Sequence, residues 1–371
     1  MMFFIRPQKL IYSPVESFDR EVEEQKNNGS RISVRSTGPT IRLNPAWAVG
    51  IVMLLCLSIG ATWAVCFEQR SLFSFKSVNG FGSQWKCVNP ATRQEWRTLS
   101  GQEKTEYLAA VQCLATKPSR VRNNGTLYDD FPWVHKYTST STHKASAFLP
   151  WHRYYIQIYE NALKDDCSYT GTLPYWDWSL DWEDFSRAPI WGHDNFGSDG
   201  NLDAETSVGD GHCVIDGPFA GLTAMFYDND YYPHCLSRGF KSGAEMKDLG
   251  NLVRPGVVED IMREGNFEAF AQRIEHNAHR FVSGSIRGEF SKFTGPYDPV
   301  FFLHHTNLDR LWWIWQMMDP KNRLQEYNGK SNKDTLRRAS LDDTLDMGGL
   351  RRNLAVADVM ETTSDLFCYQ Y

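Results

Sequence analysis

Three histidines lie close together in an aromatic-rich segment, and this grouping restricts the possible folds of the chain more than any other feature. The segment reads FPWVHKYTSTSTHKASAFLPWHRYYIQIYE and contains His135, His143 and His152. An isolated histidine is usually an ordinary hydrogen-bonded residue, but three neighbouring imidazoles are a common site for copper, zinc, iron or nickel. Apolar periodicity predicts a helix over about 148–164 that carries His152, with the other two approaching from a loop or a broken helix. We predict that the three bind one metal ion.

A second group of histidines follows later in the chain, in RIEHNAHRFVSG and then YDPVFFLHHTNLDRLWWIWQ. His276 and His279 are three residues apart, so on an α-helix they share one face. His304 and His305 are neighbours about 100° apart around a helix, so only one of them is expected to point at a metal. Two groups of three histidines on facing helices of a bundle predict a dinuclear metal site.

The motifs around these histidines resemble those of the tyrosinase and catechol oxidase family of type 3 copper proteins, in its short fungal form. The first segment matches the family's first-copper signature in His143, the run 148–153 and Glu160. The second matches the second-copper signature, Asp298-Pro299-x-Phe301-Phe302-x-x-His305-x-x-x-Asp309. Pro174-Tyr175-Trp176-Asp177-Trp178 and Tyr369-x-Tyr371 are further landmarks of the family. The resemblance covers about 83–371 and implies a mainly α fold, in which a four-helix bundle with long irregular loops holds two copper ions.

The resemblance also implies a role for individual residues. It assigns His135, His143 and His152 to the first copper, and His276, His279 and His305 to the second. The family usually has His-Asn-x-x-His in the second site, whereas His276-Asn277-Ala278-His279 is one residue shorter. An Asn in the position of Asn277 and a nearby Glu, here Glu275 or Glu268, orient a water that deprotonates phenols in the family. The alternative is that Asn277, Glu275 and Glu268 lie on the surface of a helix and have no catalytic role.

By the same resemblance, the chain is expected to be an oxidoreductase with O₂ as its co-substrate. It would hydroxylate phenols, oxidise o-diphenols to quinones, or do both. Small phenols of pigment or secondary-metabolite synthesis, or a tyrosine within a peptide, would be its substrates. The alternatives are a diphenol-only catechol oxidase, a dioxygen carrier, and a non-catalytic membrane-anchored binding protein.

A stretch without charged residues, 46–67, predicts a single transmembrane helix. Its 22 residues are enough to cross about 30 Å of hydrocarbon at about 1.5 Å per residue. A buried core helix and a cleaved signal peptide are the alternatives, but about 45 polar residues precede the stretch, which favours an uncleaved signal anchor. We therefore expect a disordered cytosolic tail at 1–45, the span at 46–67 and a linker at 68–82.

The remaining chain, 83–371, is predicted to be one catalytic domain on the lumenal or extracellular side of the membrane. Six of the eight cysteines are spread through it without CxxC pairs, which indicates up to three disulfides and an oxidising compartment. Asn124-Gly125-Thr126 is a candidate N-glycosylation site. With 39 Lys and Arg against 45 Asp and Glu, the chain has a net charge of −6 and no basic surface suited to nucleic acid. Neither the substrate nor the oligomeric state follows from the sequence.

Helical patterns dominate this domain. Ser100 and Glu103 form a capping-box pattern at the start of a helix. Helical periodicity recurs near 148–164, 258–282 and 303–318, while 185–240 is rich in Gly, Asp and Pro and is predicted to form long loops.

Overall fold

The computed structural model describes residues 87–228 and 230–371. The predicted tail at 1–45, the predicted span at 46–67 and the predicted linker at 68–82 lie outside these residues. Among the helices that the structure does describe, none combines the length and the apolar character needed to cross a membrane.

The first three helices are α1 (Gly101–Leu114), α2 (Leu127–Thr142) and α3 (Phe148–Cys167). α1 begins where the sequence predicted, because the Ser100 side chain accepts a hydrogen bond from the Glu103 backbone N–H while the Glu103 carboxylate accepts one from Ser100 N. Thr126 and Asp129 form the same capping box at the start of α2. α3 packs against α1, α2 and a later helix, so its side chains are buried over most of its length.

The region with helical periodicity at 258–282 is not one continuous helix. It contains α5 (Pro255–Met262), α6 (Phe267–Arg273), a π-helical segment (Ile274–His279) and α7 (Arg280–Ile286), and α4 (Gly243–Asn251) precedes them. The break between α5 and α6 coincides with Gly265-Asn266, where the Asn266 side chain accepts a hydrogen bond from Ala269 N and so caps α6. The chain continues into α8 (Val300–Met318) and the short α9 (Pro320–Arg323).

The strands of the described residues are short and pair two by two. β1 (Ala91–Thr92) pairs in parallel with β8 (Tyr369–Gln370). The antiparallel pairs are β2 (His212–Cys213) with β5 (Ser237–Arg238), β3 (Thr223–Tyr227) with β4 (Asp230–Cys235), and β6 (Thr344–Leu345) with β7 (Leu354–Ala355). The region 185–240, predicted to form loops, therefore also contains a β-hairpin, in which Tyr227 and Asp230 are the pair next to the turn. The Gly- and Asp-rich composition of the region did not predict it.

Short 3₁₀ turns connect several of these elements. They lie at Trp96–Thr98, Trp178–Asp181, Phe185–Arg187, Pro189–Trp191, Gly288–Ser291, Gly295–Tyr297 and Val356–Val359. The mainly helical architecture expected from the sequence is confirmed.

Three disulfides and a buried ion pair link separate parts of the described domain. The six cysteines form three disulfides, as expected, and they join Cys87 to Cys368, Cys113 to Cys167 and Cys213 to Cys235. Arg153, next to His152 on α3, forms a fully buried ion pair with Asp309 on α8, at 2.5 Å between Nε and Oδ1. Because breaking a buried pair leaves an uncompensated charge, this contact fixes α3 against α8.

Candidate metal centre

The first three histidines converge on one point between α2 and α3. His135 lies within α2, His143 follows its last residue, and His152 lies in the first turns of α3. All three are buried, and a ligand nitrogen of each lies within 4.8 Å of the others. The sequence placed His152 correctly, whereas the other two, expected on a loop or a broken helix, lie within α2 and at its end.

Backbone carbonyls set the orientation of these imidazoles. Nδ1 of His135 lies 2.7 Å from the Phe293 carbonyl oxygen, and Nδ1 of His152 lies 2.7 Å from that of Phe148. A carbonyl oxygen only accepts hydrogen bonds, so each Nδ1 carries the proton and each Nε2 presents a lone pair. The two Nε2 atoms face each other at 3.2 Å. Two lone pairs at this distance repel unless a cation lies between them, so this arrangement fits a metal ion.

The second group of histidines consists of His279, His304 and His305. His279 ends the π-helical segment, and the other two lie in α8. One nitrogen of each lies within 4.8 Å of the others. The sequence predicted that only one of the neighbours His304 and His305 would face a metal, but the structure brings both into the group.

Unpaired nitrogens and lowered pKa values make both groups suitable for a metal. Nε2 of His143 and both ring nitrogens of His304 and His305 are buried without a hydrogen-bond partner in the described structure. Burial lowers the pKa of His135 to about 4 and that of His304 to about 3. Burial likewise lowers the pKa of His143, His152, His279 and His305. The six imidazoles are therefore neutral at pH 7, which is the form that coordinates metals.

The two groups adjoin each other. The rings of His152 and His305 stack with their centroids 4.2 Å apart, and those of His143 and His279 are 5.7 Å apart. An all-imidazole set without thiolate or carboxylate suits copper. Two ions held here would be near neighbours, and both could act on one small molecule.

Comparison with known proteins identifies this arrangement. The family model described as the common central domain of tyrosinase matches residues 125–318, which include all six clustered histidines. The chain belongs to the tyrosinase family. It is 42% identical over 287 residues to tyrosinase ustQ of Aspergillus flavus, covering 77% of this chain and 80% of that protein. It is 40% identical over 372 residues to the tyrosinase-like protein phomQ2 of Diaporthe leptostromiformis, covering 97% and 95%.

A solved structure leads to the same family. The polyphenol oxidase of Thermothelomyces thermophila superimposes with a TM-score of 0.66 at 27% identity, covering 76% of this chain and 88% of that one. The chain is thus a tyrosinase-like oxidase with a dinuclear copper cofactor, as the sequence motifs predicted.

His276, which the tyrosinase resemblance assigned to the second copper, lies outside the cluster. Its side chain is exposed, and its Nδ1 lies 2.8 Å from the carbonyl oxygen of Gln272. The reason is the π-helical segment, whose i→i+5 hydrogen bonds place more than four residues in each turn. Three residues then cover well under one turn, so His276 and His279 do not share a face. His304 takes the third place in the group.

The candidate proton-transfer residues of the tyrosinase motif are only partly brought together. Glu275 and Glu268 line one cavity of about 220 Å³ together with His276, whereas Asn277 is half-buried and is not among the lining residues. The Glu275 carboxylate accepts a hydrogen bond from Lys144 N at 2.6 Å, and burial raises its pKa to about 7. Glu268 accepts a weaker one from Gln272 Nε2 at 3.3 Å.

Sequence reasoning missed the contribution of Phe293. Its ring centroid lies 5.1 Å from that of His143 and 6.4 Å from that of His135, while its carbonyl orients His135. No motif marks Phe293, because a backbone carbonyl is common to every residue and only the fold selects this one. The ring forms one wall of the first half of the tyrosinase site.

Proposed function

We propose that the chain uses dioxygen to oxidise o-diphenols to quinones and, more slowly, to hydroxylate phenols. The facing Nε2 atoms of His135 and His152, 3.2 Å apart, carry this proposal, since two lone pairs so close together suit a bound cation. Two bound copper ions would together supply the two electrons that reduce one dioxygen molecule. The chain's own part is to hold neutral imidazoles in place and to exclude competing ligands from a buried site.

We assign the first copper to His135, His143 and His152. For the second copper we propose His279, His304 and His305, because these three converge while His276 faces away. Neutral imidazoles retain copper in both oxidation states, whereas thiolates would themselves be oxidised. The donor set therefore suits a metal that changes its oxidation state during turnover.

Glu275 is the best candidate to accept the proton of a phenol substrate. A general base works best when its pKa lies near the working pH, and burial brings the pKa of Glu275 to about 7. Asn277 is its proposed helper, which would hold a water between the phenol and the carboxylate. Glu268 lines the same cavity and is the alternative acceptor. Oxidation of an o-diphenol depends less than phenol hydroxylation on this proton acceptor and its water.

The substrates we propose are small phenols of fungal pigment or secondary-metabolite synthesis, or tyrosine residues within peptides. The fungal sources of similar relatives support this. A diphenol-only oxidase is the second candidate, and it is favoured by the absence of Asn277 from the cavity lining of the described structure.

Copper analysis of the purified protein, combined with oxygen uptake on 4-methylcatechol and on 4-methylphenol, tests the proposed function. We expect two coppers per chain, rapid uptake with the diphenol and slower uptake with the phenol after a lag. Copper-stripped protein is the control, and uptake should return when copper is restored. A dioxygen carrier would bind oxygen without consuming it, and a non-catalytic protein would hold no copper pair.

We also propose that 46–67 anchors the protein and that the catalytic domain, 83–371, faces the lumen or the cell exterior. Asn124 is exposed in the loop before α2, where a glycan would meet no packed neighbour. The full-length protein should lose mass on glycosidase treatment, and Asn124→Gln should remove that loss. If external protease digests the catalytic domain in sealed microsomes and leaves the N-terminal tail intact, the orientation is the opposite of the one proposed.

A further inference from the structure

A buried histidine–carboxyl pair lies outside the copper site, and the mechanism does not use it. Glu289, fully buried in the turn Gly288–Ser291, makes a short contact through Oε1 with Nε2 of His234 on β4. Its other oxygen accepts a hydrogen bond from Thr294 Oγ1 at 3.1 Å. A buried carboxylate that bonds both a later residue of its own segment and a neighbouring strand holds that segment in a fixed shape.

The hydrogen-bond partners of His234 define the proton content of this pair. Nδ1 of His234 lies 2.5 Å from the carbonyl oxygen of Tyr232, which can only accept, so Nδ1 carries a proton. The contact between Nε2 and Glu289 then holds one further proton, either on the imidazole or on the carboxyl group. An apolar residue at position 234 would remove this bond and leave Glu289 buried without its partner.

The segment that Glu289 holds, Gly288–Thr294, reaches both groups of copper ligands. The Phe293 carbonyl accepts the Nδ1 proton of His135. Earlier in the same segment, the ring centroid of Phe290 lies 5.6 Å from that of His304. The direct hydrogen bond is to the first group, so a shift of the segment would turn His135 before it affected the second group.

We propose that His234 and Glu289 are positioning residues, which hold Gly288–Thr294 so that His135 keeps Nε2 directed at the first copper. The proposal rests on the assignment of His135 as a ligand. The Phe293 carbonyl bonds the ligand directly, and loss of a partner in that position typically lowers metal affinity by about 10–100-fold. His234 itself is held in place because its neighbour Cys235 is joined by a disulfide to Cys213.

The test compares His234→Leu with His212→Leu, in fully copper-loaded enzyme challenged with a chelator. His212 is the matched control, because it adjoins Cys213 of the same disulfide but contacts the carbonyl of Ala204 and not Glu289. In His234→Leu one of the two coppers should leave about tenfold faster or more, while the other leaves at the wild-type rate. His212→Leu should match the wild type, and His234→Gln, which can still donate to Glu289, should largely restore retention.

Spectroscopy identifies the copper that leaves. The single Cu(II) remaining in His234→Leu should give the EPR spectrum of a His135→Ala variant, in which the first site is damaged directly. Equal acceleration for both coppers, or retention equal to that of His212→Leu, would overturn the proposal. If His234→Leu does not fold, Thr294→Val removes the other bond to Glu289 and should produce the same selective loss. The readout does not need phenol turnover, so a failed substrate assignment leaves it interpretable.

Discussion

The two groups of clustered histidines differ in what orients their rings before a metal binds. In the first, the Nδ1 atoms of His135 and His152 are each 2.7 Å from a backbone carbonyl, and that of His143 is 3.3 Å from the carbonyl of Ser139. In the second, neither nitrogen of His304 or of His305 has a hydrogen-bond partner within the described structure. Backbone carbonyls thus orient the first group, whereas His304 and His305 are held by packing against rings such as those of Phe290 and Phe301.

This difference explains why sequence patterns predicted the positions of the histidines better in the first group than in the second. His143 and His152 each contact the carbonyl four residues before them, which is a local and regular geometry. The second group depends on a π-helical segment, where the local geometry departs from the α-helical rule.

The largest effect is expected when a ligand is removed from either group. His152→Ala and His305→Ala should each lower the copper content from two to about one per chain. Oxygen uptake should be abolished in both, because one copper cannot supply both electrons. Metal analysis and an oxygen electrode measure this, and appreciable turnover in either variant would refute the ligand assignment.

A sharper test of the comparison concerns the third ligand of the second group. His304→Ala should lose about one copper and most of the oxygen uptake, whereas His276→Ala should retain both coppers, since His276 is exposed and faces a cavity. His276→Ala is thus the matched control, because the tyrosinase motif assigns His276 to the same copper. The reverse result, with copper lost only from His276→Ala, would restore the ligand set implied by the tyrosinase motif.

A smaller effect is expected from Asn277→Ala. If Asn277 holds the water that takes up the phenol proton, the variant should lower monophenol turnover roughly tenfold or more, with little change on a diphenol. The ratio of the two kcat values, measured at equal copper content, is the readout. Equal losses on both substrates would mean that Asn277 supports the π-helical segment and not proton transfer.

The smallest effect concerns the stability of the copper-free protein. Burial lowers the pKa of all six clustered histidines, so the folded state keeps them neutral while the unfolded chain takes up protons below about pH 6.5. The six histidines should therefore change the free energy of unfolding little from pH 8 to 7 and lower it as the pH drops from 6.5 towards 4, against an opposite contribution from Glu275, whose raised pKa of about 7 favours the folded state at lower pH. The slope is at most about 1.4 kcal/mol per pH unit for each imidazole.

Chemical denaturation at several pH values measures this stability. A His304→Phe variant, which lacks one buried imidazole, should have a shallower slope in the same range, and this separates the histidines from carboxylates that titrate nearby. Unfolding free energies that are equal at pH 7 and pH 5 would contradict the burial of neutral imidazoles.

Much of the fold and of the first copper site was predictable because it depends on local rules. The capping box of Ser100 and Glu103 and the helix that carries His152 follow from neighbouring residues alone. The π-helical turn does not, because its hydrogen bonding departs from the α-helical pattern and the turn packs against α8, which comes later in the chain. The same is true of the position of His304, and not His276, beside His279 and His305. The role of Phe293 depends on a carbonyl 158 positions away from His135 in the chain.

The disulfide between Cys87 and Cys368 joins residues 281 positions apart, with their α-carbons separated by 5.3 Å. The backbone from Cys87 to Cys368 and this disulfide therefore form one closed covalent loop. A protease that cuts the exposed stretch 202–206 opens this loop without dividing it. Both fragments would migrate as one species in a non-reducing gel and separate only after reduction.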